Sequence, residues 1–205
     1  MLIELSDAGK RFNREWIFRG IHYRFEPGKK IALTGPNGSG KSTLLQVLAG
    51  SMNLSEGNIN WTIHQQSIEA DRVFKYLSIA APYLELIEEM TAVEFLNFHR
   101  SFKPLLNNIS IEEILQIIGL EKASQKQIRY FSSGMKQRIK LAQAIFSDCP
   151  LLLLDEPCTN LDENGYILYR HLIDTYTKDK TIIVSSNDVN EYGFCTDKIY
   201  VPDHK

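Results

Sequence analysis

Apolar and polar positions alternate through roughly the first thirty residues. Leu2 and Glu4, Trp16-Ile17-Phe18, and Ile21-His22-Tyr23-Arg24-Phe25 follow a period of two, interrupted at Asp7-Ala8-Gly9 and at Pro27-Gly28. Short alternating runs separated by turn residues predict antiparallel strands, which belong at one edge of the fold. Lys30-Ile31-Ala32-Leu33 is a short apolar strand, and the helical spacing from Ser42 to Leu48 closes at Gly50. Strand signals then thin out between about residues 84 and 129. Thr91 to Phe102 and Ser110 to Leu120 repeat at helical spacing, and Ser110-Ile111-Glu112-Glu113 has the form of a capping box that starts the second of these helices. A third helix is expected after Gly134, with Ile139, Ala142, Ile145 and Phe146 on one face. Leu151-Leu152-Leu153-Leu154 is apolar on both faces, as a strand inside a parallel sheet should be. Gly165 to Tyr176 is helical again, Thr181-Ile182-Ile183-Val184 is another buried strand, and Lys198-Ile199-Tyr200-Val201 is a last one. Strands alternating with helices predict an α/β fold around a parallel sheet. The N-terminal strands form its antiparallel edge, and a helical subdomain is inserted at about residues 84–134.

Length and charge narrow the class. With 205 residues the chain is expected to form one domain, 1–205, large enough to bury a core without disulfides. The net charge is −2, with acidic and basic residues mixed along the chain. No basic tail or block calls for nucleic acid or a membrane surface. Cys149, Cys158 and Cys195 are odd in number and lack metal-ligand spacing, so they read as thiols of a reducing compartment. His22, His64, His99, His171 and His204 share no ligand spacing either and are expected at the surface or at edges, without a metal site. The start, MLIELSDAGK, has no signal-peptide core, and no apolar run approaches the roughly 20 residues that span a bilayer. The expected protein is soluble and cytoplasmic, reaching a membrane only through another chain.

The chemistry begins at residues 33–43, LTGPNGSGKST. Gly35, Pro36, Asn37, Gly38, Ser39, Gly40, Lys41 and Ser42 match G-x-x-x-x-G-K-[ST] at every fixed position, and Thr43 follows. Glycines let consecutive N–H groups turn inward on phosphates, and the helix that starts near Lys41 adds its positive end. Lys41 is placed to reach the β- and γ-phosphates, and the Ser42 hydroxyl to meet Mg²⁺. This motif alone implies a nucleoside triphosphate and magnesium, not the use made of them. Asp155 ends the four-leucine strand, and ligands of open α/β sheets bind beyond such strand ends. It suits Mg²⁺, held through water, and Glu156 suits a base that orients and polarises an attacking water.

Between these two motifs lies FSSGMKQR, residues 131–138. At this spacing it resembles the signature motif of ATP-binding cassette (ABC) proteins, usually written LSGGQ. Phe131 stands for Leu, Ser133 for the first Gly and Met135 for Gln, while Ser132 and Gly134 match. Asp162, in Cys158-Thr159-Asn160-Leu161-Asp162, matches the fixed Asp of the family's D-loop, and Phe12 occupies the place of its adenine-stacking aromatic. Aromatics on strands are more often core, and Trp16 is the fallback for that role. The resemblance runs from about residue 2 to residue 200. It implies a P-loop cassette that binds MgATP and hydrolyses it. In the family, Ser132, Ser133, Gly134 and Met135 would close over the ATP of a second cassette, giving a homo- or heterodimer that drives separate membrane-spanning subunits. Lys136 and Arg138 read as solvating the helix after the signature. The chain ends soon after its last strand, which resembles the short export-type subunits.

Two departures stand out. The family usually carries a glutamine where core and helical insertion join, and that place is held here by Ala81 or Pro82. A groove for the membrane partner is expected near residues 81–92. The family's histidine after the last buried strand is replaced in Ser185-Ser186-Asn187-Asp188 by Asn187, or by Ser186 if the register slips by one. Asn187 either meets the γ-phosphate or caps the following helix. Rival readings are a soluble cassette ATPase working on DNA or ribosomes, a regulatory module with weak hydrolysis, and a metabolite kinase. The first lacks its basic surfaces or second cassette here, and the last would leave the signature without a purpose.

Overall fold

The computed structural model describes residues 1–204. Its contacts divide into two compact units. The first comprises Met1–Leu77, Cys149–Glu156 and the chain from Asp179 on; the second comprises Ser78–Asp148 and Pro157–Lys178.

In the first unit, β1 (Leu2–Phe12) and β2 (Glu15–Phe25) form a hairpin that turns at Asn13, whose φ is 54°. The interruption at Asp7-Ala8-Gly9 is a bulge inside β1, not a turn between strands. Asp7 takes a φ of 52°, and the register slips between Leu5 and Ala8 while pairing continues. On the other side of β1 lies β4 (Glu56–Ile63), followed by β5 (Gln66–Ile68), so this antiparallel sheet runs β2-β1-β4-β5. The alternation buries Ile3, Leu5, Phe18, Ile21 and Phe25 on one face. Trp61 is anchored as well, its Nε1 donating to Leu48 O at 3.0 Å.

The parallel sheet places β7 (Leu151–Asp155), β8 (Thr181–Ser185), β3 (Lys30–Thr34) and β9 (Asp197–Tyr200) in that order. Every residue of β7 and β8 is buried, which accounts for their unbroken apolar runs. Asp155 pairs with Ser185, and Ser185 pairs with Leu33. The carboxyl ends of three neighbouring strands therefore lie level, and each continues into a polar loop. Helix α1 (Lys41–Leu48) packs back onto β7 and β8.

The second unit opens with β6 (Leu77–Ala80) and is otherwise helical: α2 (Ala92–Phe102), α3 (Ile111–Ile117), α4 (Ser133–Ile145) and α5 (Glu163–Tyr176). Capping boxes start α2, from Thr91 and Glu94, and α3, from Ser110 and Glu113. Helix α3 is shorter than its periodicity predicts, because Gly119 adopts a φ of 68° that helix cannot continue. Helices α4 and α5 begin earlier than expected, at Ser133 and Glu163 instead of after Gly134 and at Gly165. Ser132 and Asp162 are their N-caps, accepting from the N–H groups of Met135 and Gly165. His99, expected at the surface, is half-buried on α2 with Nε2 2.8 Å from Ser147 Oγ, and burial lowers its pKa. Among the described residues no helix is long and apolar enough to cross a membrane.

Candidate functional site

The phosphate loop leaves β3 at Gly35 and enters α1 at Lys41. Gly40, the N-cap of α1, has a φ of 101°, and a Cβ there would run into Ile17 Cγ2 from β2. Only glycine serves at such a place. The cap provides no side-chain acceptor and the first turn holds no acidic residue, so the positive end of α1 is left for an anion. Lys41 is buried, and its Nζ donates to Gly35 O at 2.7 Å and to Pro36 O at 3.2 Å. Burial pulls its pKa below the ordinary lysine value, and the nearby charges of Glu156 and Asp155 pull it back up.

Asp155 and Glu156 stand where β7 ends. Asp155 is 2% exposed, and its Oδ1 is buried without a hydrogen-bond partner among the described residues. An unpaired buried carboxylate oxygen is costly, and it marks the place where a cation with its water shell fits. Ser42, in the first turn of α1, lines with Ile17, Asn37, Lys41, Thr43 and Glu156 a cavity of about 210 Å³. The hydroxyl and the carboxylate are hard oxygen ligands of the kind Mg²⁺ takes. Glu156 has a φ of 42°, unusual for a residue with a side chain, and its N–H is held by Ser185 O at 2.9 Å. Such backbone costs on the order of 1–3 kcal/mol and persists where its surroundings fix it.

Asn187 follows β8 and turns its amide to the phosphate loop. Its Oδ1 accepts from Gly35 N at 3.2 Å and its Nδ2 donates to Asn37 Oδ1 at 3.3 Å. It is not the helix cap. Asp188 holds that post for α6 (Val189–Tyr192), accepting from Asn190 N at 2.9 Å. Ser186 is buried, and its Oγ accepts from Asp188 N.

Phe12 is 45% exposed at the end of β1, with Lys10 Nζ 5.2 Å from its ring centre, so it is not a core aromatic. Trp16 lies against Gly9, and the guanidinium groups of Arg19 and Arg11 already sit over its ring, at 4.7 and 5.6 Å. Of the two rings, that of Phe12 is the more exposed.

In the second unit the signature residues form the start of α4. Ser132 and Ser133 are exposed, and Gly134 and Met135 are half-buried. A Cβ on Gly134 would come within 3.2 Å of Asn160 O, so this glycine admits the backbone of the loop that holds Asp162. Lys136 and Arg138 do more than solvate α4. Lys136 pairs with Glu88, while Arg138 donates to Ile118 O at 3.4 Å and lies 3.8 Å from Asp162. Ala81 is buried, and Pro82 O accepts from Lys140 Nζ at 3.0 Å.

With this geometry in place, the model of the family described as ABC transporter matches residues 18–159. The chain belongs to the ABC transporter ATP-binding family. The cytochrome c biogenesis ATP-binding export protein CcmA of Xylella fastidiosa is 33% identical over 156 residues, which cover 76% of this chain and 72% of CcmA. YybJ of Bacillus subtilis, described as an uncharacterized ABC transporter ATP-binding protein, is 33% identical over 189 residues, covering 91% of this chain and 85% of YybJ. The bacterial ABC transporter cassette MJ0796 superposes with a TM-score of 0.80 at 21% identity, over 98% of this chain and 95% of MJ0796. That likeness shows the ABC cassette fold. MJ0796 is described as dimeric, and a second structure of it as a post-hydrolysis state bound to ADP and Pi.

This cassette is thus an ATP-binding protein of the ABC ATPase family. Three residues of its pocket region carry no motif and were not legible as such. Ile17 closes the wall over Gly40. Ser185 has a fully buried Oγ with no partner among the described residues. Pro202, in the turn after β9, backs Gly35. Of the three, only Ser185 had a sequence signal, a polar residue ending an apolar strand.

Proposed function

We propose that the chain, as a single cassette over 1–205 with the helices of about 84–134 as its insertion, hydrolyses ATP to drive an export-type transporter. The observation that carries this is the orphaned, buried Asp155 carboxylate at a strand end that also presents Glu156 to the phosphate-loop pocket. Gly38, Ser39, Gly40, Lys41, Ser42 and Thr43 cradle the phosphates, and Phe12 receives the adenine. Ser42 and Asp155 would hold Mg²⁺, which would supply positive charge to the phosphates during transfer. Glu156 orients water for in-line attack, and its strained backbone fixes where that carboxylate points. Asn187 offers the γ-phosphate a neutral donor where the family has histidine, so turnover is slow. The start of α4, with Ser132, Ser133, Gly134 and Met135, meets the phosphate of a second cassette, and Asp162 sets the loop beside it.

The exporter reading draws on CcmA, whose name describes an export protein. Separate membrane-spanning subunits would dock on the second unit at a groove of about 370 Å³, lined among others by Pro82, Glu85, Lys136 and Lys140. The cassette would then sit at the cytoplasmic face of the cell membrane. Glu156→Gln keeps the side chain's shape and loses the base, so MgATP affinity should persist while hydrolysis falls by about 10²-fold or more. Lys41→Ala should abolish MgATP binding in calorimetry, since no nearby group replaces its charge-assisted contact. Wild-type hydrolysis by Glu156→Gln, or wild-type affinity in Lys41→Ala, overturns the reading.

A further inference from the structure

Gly35 opens the phosphate loop, and its peptide is gripped on both sides. Its N–H donates to Asn187 Oδ1 at 3.2 Å, and its carbonyl accepts from Lys41 Nζ at 2.7 Å. The other end of the Asn187 amide donates to Asn37 Oδ1 at 3.3 Å. One planar group with an acceptor and a donor thus staples the first and third residues of the loop. Gly35 cannot retreat from this grip. It is buried at a φ of 138°, and a Cβ on it would lie 2.7 Å from Pro202 Cδ and 2.8 Å from Ser39 Oγ. Asn187 is itself fixed by its neighbours. Ser186 N continues the sheet to Leu33 O at 3.1 Å, and Asp188 takes over the capping of α6.

We infer that Asn187 is a positioning residue for the phosphate loop, acting through Gly35 on the Lys41 ammonium and therefore on any nucleotide with a β-phosphate. This rests on the nucleotide site proposed above and deepens it. A donor to the γ-phosphate acts on the triphosphate alone. A staple across the loop acts on diphosphate and triphosphate alike.

Calorimetry with ADP and with ATP distinguishes the two. Asn187→Ala should weaken ADP binding roughly 2- to 10-fold, the worth of about one hydrogen bond, and ATP binding at least as much. Asn37→Ala removes only one of the two contacts, from an exposed loop residue that leaves the sheet untouched, and should weaken both nucleotides by a smaller factor. In the double variant the effects should not add, because both act on one network. Hydrogen exchange at the Gly35 amide, measured without nucleotide, should quicken in Asn187→Ala. ADP affinity unchanged or tighter in both variants, with only ATP binding or kcat reduced, overturns the staple and leaves Asn187 the γ-phosphate contact alone. Unchanged exchange at Gly35 overturns it as well. Lys41→Ala reports separately on the nucleotide site: undiminished ADP binding there would place the nucleotide outside this pocket, whatever Asn187 does.

Discussion

Lys41 spends its ammonium on two loop carbonyls while it is buried, and burial holds its pKa below the ordinary 10.5. Phosphates brought against it favour the charged form and raise that pKa again. Nucleotide binding should therefore take up a proton on Lys41 in alkaline solution, between the lowered and the restored value. Calorimetry in two buffers of different ionisation heat measures this, and an absence of uptake at alkaline pH would place the phosphates away from Lys41. The sign for folding runs with it. The unfolded chain keeps this proton to higher pH than the folded one, so the contribution of Lys41 to stability rises as pH climbs through the same window. Asn187 makes a second case at this scale. A neutral amide stabilises charge on the γ-phosphate less than a histidine that can carry a proton. Asn187→His should raise kcat, by less than the roughly 10²–10³ that loss of a whole oxyanion donor costs. Asn187→Ala should lower it further. Steady-state hydrolysis checks both, and a kcat indifferent to both would remove Asn187 from the chemistry.

Side chains cap several helix starts in this protein. Ser132 caps α4 and Ser110 caps α3 by the same device, a hydroxyl accepting from the third residue of the helix. Replacing either with alanine should cost about 1 kcal/mol of stability, read as a lower denaturation midpoint. The two should differ in function. Ser132→Ala also removes a hydroxyl from the helix start proposed to meet the second cassette's phosphate, and should slow hydrolysis in the assembled cassette. Ser110→Ala, on a helix with no proposed nucleotide contact, should leave turnover per folded molecule unchanged. Equal activity in the two variants would make Ser132 a cap and nothing more. Both capping boxes lie in the second unit, where helices of 7 to 14 residues are too short to stand without such help and without packing on one another.

At the scale of the whole molecule, the function proposed above pairs the phosphate loop of one cassette with the signature of a second. MgATP should then act as glue, and blocking hydrolysis should leave the dimer trapped. Light scattering of Glu156→Gln with MgATP should show twice the monomer mass of 23.5 kDa, reverting when the nucleotide is removed. A monomer under those conditions, with ATP bound, would mean that the start of α4 has another partner.

Much of this was written in the sequence because it depends on neighbours along the chain. The phosphate loop is a run of consecutive residues, and the capping box at Ser110 spans four. The buried strands at Leu151 and Thr181 announce themselves because a strand enclosed on both faces must be apolar throughout. Asp155 and Glu156 were legible for the same reason, as the point where such a strand turns polar. Tertiary structure decided what depends on residues distant in the chain. Asp7-Ala8-Gly9 looks like a turn, yet β4 pairs along the far side of β1 and carries the strand through as a bulge. The helix starts at Ser133 and Glu163 moved forward because side-chain caps satisfied N–H groups that apolar periodicity cannot see. Asn187 had two local meanings, cap or phosphate contact. That it does not cap α6 was decided by Asp188, and its amide's partners by the loop 150 residues earlier, where Gly35 and Asn37 lie within reach. Local pattern determines which elements form and which residues are chemically able. The partners of each polar atom are set only when the strands lie side by side, because a hydrogen bond depends on distances that the chain's order does not contain.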